Sequence, residues 1–524
     1  MRLYRPLSVF QDAPWLGVVC VVAVTLLVRG FVGLGGYSGE HDAPWFGDFE
    51  TQRHWLELTR HLPLREWYRY RFNWSPLDYP PVSAFHAYVF GRLADMIRPE
   101  WVALKASETF ESPGLRLFMR SSALLTEYAL LVPGIWAWTG FSSTSISPPD
   151  NIPVAESTRR LTAFAYLTAF PLLTLVDHGH FQYNAAMFGF TMWALVYWRR
   201  GAFVRGAIAF VCALCFKQMS LYYAIPVFCH LLTECTSIAR RGAPGRALTT
   251  LLAIGAAVLA TFGIFLAPFI MDEVRHRDPA TSVVQAAVTS VGVIGRRVFP
   301  VARGLFEDKV ANWWCVVNVA VKLKQRFSNV QLLRLSTVVT AAAVLPWHLL
   351  YLKAPARFTA FLYLLTLSAL GFYLGSFLVH EKTIMLPAFP LLLLMPYEPT
   401  CAAWFHLVAT WTNFFMLRLD HQILPYIAMN AAWVAITHDL MPWRHRHAVV
   451  RGLAKLSIAG MLGLHAFHYS YEAPARYLWF HQLLFACFGA LQFSCFYVYL
   501  CARFVNLLFP ALGAPVAKWL ARWQ

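Results

Sequence analysis

An acidic tripeptide, Asp48-Phe49-Glu50, follows soon after the first long apolar run of the chain, Trp15 to Leu34. A carboxylate held where a membrane meets water is costly to desolvate, so it usually has a partner or a chemical task. One such task is that of a general base, which takes a proton from a reacting hydroxyl group. We therefore predict a catalytic base at this tripeptide.

A second polar cluster, from Asp177 to Asn184, separates two apolar segments. Its two histidines, His178 and His180, could suggest a metal, but residues two apart do not share one face of a helix. A histidine pair without clustered carboxylates or thiolates is also a poor zinc site. We instead expect His180, Gln182 and Asn184 to hydrogen-bond to sugar hydroxyls or phosphate.

Two basic clusters have the chemistry to bind an anion. Arg297 and Arg303 lie in one stretch of the chain, and His380-Glu381-Lys382 lies between two apolar segments. Arginine can hold a phosphate through two-point contacts, and a histidine can donate to an anion. An internal Glu381–Lys382 ion pair remains the alternative interpretation of the second cluster.

For several other charged residues we favour an ordinary structural role. Glu57, Arg60, Arg65 and Glu66 are interpreted as solvated charges of the first polar loop. Lys217 follows a short apolar run, where a lysine that extends its ammonium group to the membrane surface is an equally good interpretation. None of the five is therefore assigned to the site.

The composition is that of a helical membrane protein. Of 524 residues, 58% are hydrophobic and only 14% are charged, whereas about 25% of an average soluble domain is charged. Apolar runs near 20 residues recur, and each could cross a hydrocarbon core of about 30 Å. Helices satisfy the backbone hydrogen bonds of such runs in lipid. We predict an all-α polytopic membrane protein with a single transmembrane domain over residues 1–524.

The formal charge of +17 does not indicate nucleic-acid binding. The basic residues form short clusters between apolar runs, which is the pattern of cytoplasmic loops. With the N-terminus in the cytosol, residues 35–116 and 271–312 become lumenal loops. The segment His380-Glu381-Lys382 then falls on the same lumenal side, and the C-terminal helices of 390–524 follow it.

The number of crossings and the shape of the first loop can also be predicted. About fifteen apolar segments are visible, but cytosolic chain ends require an even number of crossings. The segment Trp313–Leu323 is too short to span comfortably, and leaving it out gives about fourteen transmembrane helices. In the loop 35–116, the spacing of Trp55, Leu58 and Trp67 predicts amphipathic helices at the membrane interface.

Six segments of the chain together carry a family resemblance. They are Phe46-Gly47-Asp48-Phe49-Glu50, Gln52-Arg53-His54-Trp55, Leu77-Asp78-Tyr79-Pro80-Pro81, His180-Phe181-Gln182-Tyr183-Asn184, Arg303 to Asn312 and Val379-His380-Glu381-Lys382. In these segments the chain resembles the dolichyl-phosphate-glucose-dependent glucosyltransferases of the endoplasmic reticulum, which are GT-C membrane glycosyltransferases. The resemblance runs in order from about residue 37 to residue 390.

The resemblance implies a GT-C fold in the endoplasmic reticulum membrane, with several crossings and an active site that faces the lumen. It implies an inverting transfer from a β-linked lipid phosphate sugar that needs no metal or other cofactor. The implied donor is dolichyl phosphate glucose, and the implied acceptor is a dolichyl-diphosphate-linked oligosaccharide. The family's catalytic aspartate maps to Asp48.

The chemistry of an inverting transfer agrees with one base at Asp48. The base takes the acceptor's proton while the phosphate leaves from the opposite face of the sugar. A lipid phosphate needs charge stabilisation rather than protonation as it leaves. The candidates for that stabilisation are Arg297, Arg303, His380 and Lys382. The other candidate substrate-binding or supporting residues are Glu50, Arg53, Asp78, Tyr79, His180, Gln182, Asn184 and Glu381.

Two branches of the family add the first and the second glucose. The segments Arg303–Asn312 and Gln52–Trp55 resemble the branch that adds the first glucose, in α1,3 linkage, to the nine-mannose oligosaccharide. His178 is instead more typical of the second-glucose branch, but we favour the first. A lipid or sugar transporter is the alternative from another class. Against it, the polar clusters gather at one membrane face and no internal repeat is visible.

Overall fold

The regular secondary structure is helical throughout the part of the chain that the structure describes. The structure is a computed structural model that describes residues 4–42, 46–70, 75–141, 154–299 and 309–510. Its helices are α1 (Tyr4–Ser8), α2 (Pro14–Leu34), α3 (Asp48–His61), α4 (Pro81–Ile97), α5 (Pro113–Thr139), α6 (Glu156–Thr168), α7 (Pro171–Leu175), α8 (Asn184–Arg199), α9 (Phe203–Phe216), α10 (Ala224–Arg240), α11 (Pro244–Arg275), α12 (Val283–Val298), α13 (Trp313–Val321), α14 (Leu323–Arg326), α15 (Asn329–Lys353), α16 (Phe358–Gly375), α17 (Met385–Leu393), α18 (Pro399–Thr412), α19 (Phe414–Leu419), α20 (Ile423–Ile436), α21 (Ala448–Ser470) and α22 (Phe480–Leu508). The predicted all-α class is confirmed.

Several helices have the length and composition of membrane spans. Among the described residues these are α2, α11, α15, α16, α21 and α22, and a bent pair, α6 with Pro171–Phe181, adds a further span if it counts as one. The polytopic character is thus confirmed, while the count of about fourteen crossings stays a prediction. Helix α13 has nine residues, or about 14 Å at 1.5 Å per residue, which is too short to cross alone.

The bent pair is the irregular element that carries the second polar cluster. The pair bends by 45° between α6 and Pro171–Phe181, because a proline removes a helical hydrogen bond and clashes with the preceding turn. The chain then continues as a π-helical turn, Val176–Phe181. It ends at Phe181 with a φ of 89°, which is uncommon for a bulky residue. Irregular backbone at membrane depth is tolerated where protein or a cavity surrounds it.

A buried ionic cluster anchors this turn to two other helices. Arg29 of α2 donates from Nε and Nη2 to the Glu127 carboxylate of α5, both at 2.7 Å. The Nε2 atom of His178 lies 2.6 Å from the same carboxylate, and Arg29 also donates to the Thr168 carbonyl at 2.9 Å. Because all three charged or polar side chains are buried, their contacts fix the π-helical turn relative to α2 and α5.

Helix α3 is the predicted helix of the first loop, and it is packed inside the protein. Ten of its fourteen residues are buried. Arg53 donates to Glu50 at 2.5 Å and to Glu57 at 2.7 Å. The interpretation of Glu57 as a solvated charge is therefore wrong, since its side chain has no exposed surface. Burial alone would raise the pKa of Glu57, but His54 and Arg53 lower it to about 2.

The Arg29–Glu127 pair can be tested by removing one charge or both. Arg29→Met leaves the Glu127 carboxylate buried without its cation, which costs about 3–5 kcal/mol for such pairs. We expect a clear loss of thermal stability in detergent, measured by intrinsic fluorescence. The double variant Arg29→Met/Glu127→Leu should regain much of that stability. As the control, Arg98→Met removes one partner of the largely exposed Arg98–Glu100 pair and should change little. An Arg29→Met variant as stable as the control would contradict this assignment.

Candidate active site

Asp48, the first residue of α3, has a carboxylate on which three parts of the chain converge. Its Oδ2 atom lies 2.8 Å from Nε2 of His180 and accepts hydrogen bonds from Gln182 Nε2 and Lys382 Nζ. Its backbone N–H donates to Ser38 Oγ at 3.1 Å. The sequence analysis predicted these residues for one site, and the structure brings Asp48, His180, Gln182 and Lys382 into direct contact.

Close backbone packing explains why Asp48 follows a glycine. A Cβ atom on Gly47 would lie 2.3 Å from backbone atoms of Ser38, so no larger residue fits there without a shift. Arg120 of α5 adds a second tie, since its Nη2 donates to the carbonyls of Gly36 and Gly179 at 3.1 and 2.7 Å. Gly47 is therefore packed against Ser38, and Gly36 is tied to the π-helical turn through Arg120.

The hydrogen-bond network continues from Asp48 to a buried lysine. Lys217 Nζ donates to Gln182 Oε1 at 2.8 Å and to Asn184 Oδ1 at 2.6 Å. Asn184 in turn donates from Nδ2 to Asp177 Oδ1 at 2.7 Å. Lys217 is only 3% exposed, so it does not extend to a membrane surface. It is part of the polar cluster.

The charges around Asp48 determine its affinity for protons. Burial alone would raise the pKa of Asp48, but Lys382 and His180 outweigh burial and hold that pKa well below its ordinary value. Burial lowers the pKa of Lys217 below its ordinary range, and the nearby charge of Lys382 lowers it further. Asp48 is thus ionised at neutral pH and remains a weak base while Lys382 and His180 contact it.

The cluster opens on a cavity of about 600 Å³, a volume typical of small-molecule sites. Its polar lining consists of Asp48, Thr51, Gln52, Ser75, Asp78, Gln182, Asn184, Lys217, Gln218, Ser376, His380, Lys382 and Thr383. Its apolar and aromatic lining includes Trp55, Tyr79, Met187, Phe188, Leu221, Tyr222, Phe299, Leu333, Phe372, Phe377, Met385 and Leu386. A ligand with one polar and one apolar part suits this combination.

Most of the predicted residues lie at this cavity. Those in its lining are Asp48, Asp78, Tyr79, Gln182, Asn184, His380 and Lys382. His180 is not in the lining and contacts Asp48 from behind. Lys217 Nζ lies 5.0 Å from the centre of the Tyr79 ring, so that ring and the buried lysine share one wall of the cavity.

The remaining predicted residues lie elsewhere or cannot be placed. Glu50 and Arg53 pair with each other inside the protein and do not line the cavity. Arg297 donates from Nε to the Tyr68 carbonyl at 2.9 Å. Arg297 and Glu381 also lie outside the cavity lining. These positions suit support of the site better than contact with substrate. Arg303 lies outside the described residues.

Two residues of the cluster were not predicted from the sequence. The sequence does not decide between a structural and a functional role for Lys217, although a lysine between two short apolar segments is a usable signal. Nothing in the sequence points to Asp420, whose Oδ2 lies 2.7 Å from His180 Nδ1. No local pattern around Asp420 distinguishes it from any other carboxylate between two helices.

Residues 20–500 match the family described as the ALG6, ALG8 glycosyltransferase family. The chain belongs to this family. The predicted resemblance is thereby confirmed, and the match extends well beyond the predicted segment 37–390 to include most of the C-terminal helices. Because this is a glycosyltransferase family, its match supports glycosyl transfer rather than the transporter hypothesis.

Several similar proteins carry the same name, dolichyl pyrophosphate Man9GlcNAc2 alpha-1,3-glucosyltransferase. The protein of Gallus gallus is 35% identical over 80% of this chain and 78% of its own length. That of Saccharomyces cerevisiae is 37% identical over 79% of this chain and 72% of its own length. A probable enzyme of that name from Drosophila melanogaster is 34% identical over 87% of this chain and 91% of its own. These names confirm the preference for the first-glucose branch, despite the departure at His178.

The contact between Lys382 and Asp48 makes a prediction about pH dependence. In Lys382→Gln the pKa of Asp48 should rise, because an opposite charge this close lowers an aspartate pKa by about 1–3 units. The acid limb of the kcat/KM profile for glycosyl transfer should therefore move to higher pH by about one unit or more. Lys353→Gln, which removes an exposed lysine at the end of α15, is the matched control. An acid limb that stays at the wild-type pH would contradict an effect of Lys382 on the pKa of Asp48.

Proposed function

We propose that this protein transfers glucose from dolichyl phosphate glucose to Man9GlcNAc2 on dolichyl diphosphate, in α1,3 linkage, at the lumenal face of the endoplasmic reticulum membrane. One observation carries the proposal: an ionised aspartate, Asp48, stands in a cavity with a cationic polar wall and an otherwise largely apolar lining. The acceptor and the linkage come from the names of the similar proteins. The donor is inferred from the lining, since a lipid phosphate sugar needs both apolar surface and cations.

In the proposed reaction Asp48 is the general base. Its carboxylate takes the proton of the acceptor hydroxyl as that oxygen bonds to the anomeric carbon of glucose. The bond between the anomeric carbon and the phosphate oxygen breaks on the opposite face, and the electron pair leaves with the lipid phosphate. A single displacement of this kind converts the β-linked donor into an α-linked product.

In this scheme Lys382 can pair with either of two anions, the Asp48 carboxylate or the phosphate of the donor. Before the donor binds, its ammonium group contacts Asp48 and lowers the pKa of that carboxylate. A lipid phosphate that enters the cavity offers Lys382 and His380 a second anion, and charge-assisted contacts to phosphate are strong. As Lys382 turns toward the phosphate, the pKa of Asp48 rises. Donor binding would thus strengthen the base and stabilise the leaving group together.

Metal independence is part of the proposal and needs its own test. Among the described residues, no group of three or more His, Cys, Asp and Glu side chains is arranged to hold a metal ion. Two lysines, Lys217 and Lys382, stand at the cavity instead. We infer that these cations take the place that a divalent ion fills in other phosphate sites.

Asp48→Asn tests the assigned base. The amide has nearly the same shape but cannot take up a proton, so turnover should fall by on the order of 10²–10⁴-fold or more. The assay gives purified protein dolichyl phosphate glucose and the nine-mannose lipid acceptor and detects the one-glucose product by mass spectrometry. Asp42→Asn, at an exposed aspartate of the same loop, should keep wild-type activity. Equal activity in wild type and Asp48→Asn would remove Asp48 from its role.

The same assay with altered reactants tests the acceptor and the metal. The one-glucose acceptor should be a much poorer substrate than the nine-mannose acceptor. A preference for the one-glucose acceptor would instead assign the protein to the second-glucose branch. Activity should also persist in excess chelator, whereas its abolition, with recovery on adding a divalent cation, would establish a metal requirement.

A further inference from the structure

A second carboxylate stands behind the histidine that contacts Asp48. His180 Nε2 lies 2.8 Å from Asp48 Oδ2, and His180 Nδ1 lies 2.7 Å from Asp420 Oδ2. The imidazole ring therefore bridges two carboxylates that come from opposite parts of the chain. Asp420 is 4% exposed and does not line the cavity, so its direct contact with the site is the one with His180.

The position of Asp420 is fixed by its surroundings. Its N–H donates to the Met416 carbonyl at 3.1 Å as α19 ends, and the next residue, His421, has a φ of 56°. Gln422 then donates from Nε2 to the Gly36 carbonyl at 2.6 Å. A Cβ on Gly36 would lie 2.5 Å from the Asp420 carbonyl oxygen. The junction of α19 and α20 is thus packed directly against the segment that leads to Asp48.

The charged groups around His180 come from several elements. Asp48 begins α3, Lys382 precedes α17, and Asp420 ends α19, while Arg120 of α5 binds the adjacent Gly179 carbonyl. Lys382 Nζ lies 2.9 Å from His180 Nε2. In both charge states of the ring, an N–H on Nδ1 has a carboxylate to donate to. A neutral ring with its proton on Nδ1 presents a bare Nε2, which can accept from Lys382 but cannot donate to Asp48. Only the doubly protonated ring donates from Nε2 to Asp48.

We propose that Asp420 is a positioning residue of the glucosyl transfer, which accepts the Nδ1–H of His180 and so stabilises the doubly protonated ring, whose Nε2–H donates to the Asp48 carboxylate. A carboxylate hydrogen-bonded to one ring nitrogen fixes the orientation of a histidine and favours its charged form in this way. His180 then holds Asp48 in place when Lys382 turns toward the donor phosphate. The inference rests on the proposed function, because it assumes that Asp48 is the base.

The test compares Asp420→Asn with the wild type and with Asp439→Asn, a control at an exposed aspartate of the same C-terminal half. The asparagine amide carries no negative charge and can present an N–H to Nδ1, so the doubly protonated ring loses its anionic partner. We expect kcat/KM to fall by about 10–100-fold, the usual effect of losing an outer partner, chiefly through kcat. The acid limb of the pH profile should move to higher pH. His180 loses the anion that stabilises its charged form, and a less charged His180 lowers the pKa of Asp48 by a smaller amount. The control should match the wild type in both respects.

A double-variant cycle separates an action through His180 from a structural effect. In a His180→Gln background, adding Asp420→Asn should change the remaining activity by less than about twofold, since coupled residues are non-additive. An unchanged pH profile, or full additivity of the two substitutions, would overturn the proposal.

The folded state of each variant is checked by thermal unfolding in detergent. If Asp420→Asn does not fold, Asp420→Ser is used, and failure of both variants to fold would make Asp420 a structural residue and overturn the proposal. An inactive wild type would contradict the proposed function itself, whereas an active wild type with an unaffected Asp420→Asn variant would contradict only this inference.

Discussion

The contacts that Lys382 and His180 make with the Asp48 carboxylate are the interaction on which the site depends. An aspartate half-enclosed by aromatic and aliphatic surface would otherwise tend to be protonated, and a protonated aspartate is no base. Lys382 and His180 keep it ionised, and His180 is itself held in place by its hydrogen bond to Asp420. The π-helical turn, the glycine before Asp48 and the polar segment before α17 all bring these three side chains together.

Local patterns in the sequence predicted much of the fold and part of the site. Apolar runs located helices such as α2 and α9, because lipid permits little other backbone structure. Polar side chains that interrupt such runs marked Asp48, Gln182 and Lys382, since a polar group beside apolar surface is costly unless it is used. These signals lie within a few residues of each other and need no knowledge of tertiary contacts.

What the sequence could not show depends on contacts between distant segments or on ion pairs inside the protein. Glu57 looked solvated because a charge usually is, yet Arg53 neutralises it within α3 and both are buried. Asp420 looked ordinary because its partner, His180, is 240 residues away. The same local sequence can thus place a charged residue in solvent or in the protein interior, and only the tertiary contacts distinguish the two.

The cluster comes from five separate stretches of the chain, and this affects how the protein is made. Asp48 emerges from the ribosome early, but the carboxylate at 420 is synthesised only after most of the helices. Until α19 and α20 pack against the segment at Gly36, His180 has one carboxylate partner instead of two and the glycine carbonyl has no glutamine donor. The site is therefore complete only once the chain has been synthesised beyond Gln422 and α19 and α20 have packed, so a chain truncated before Asp420 leaves these polar groups unmatched.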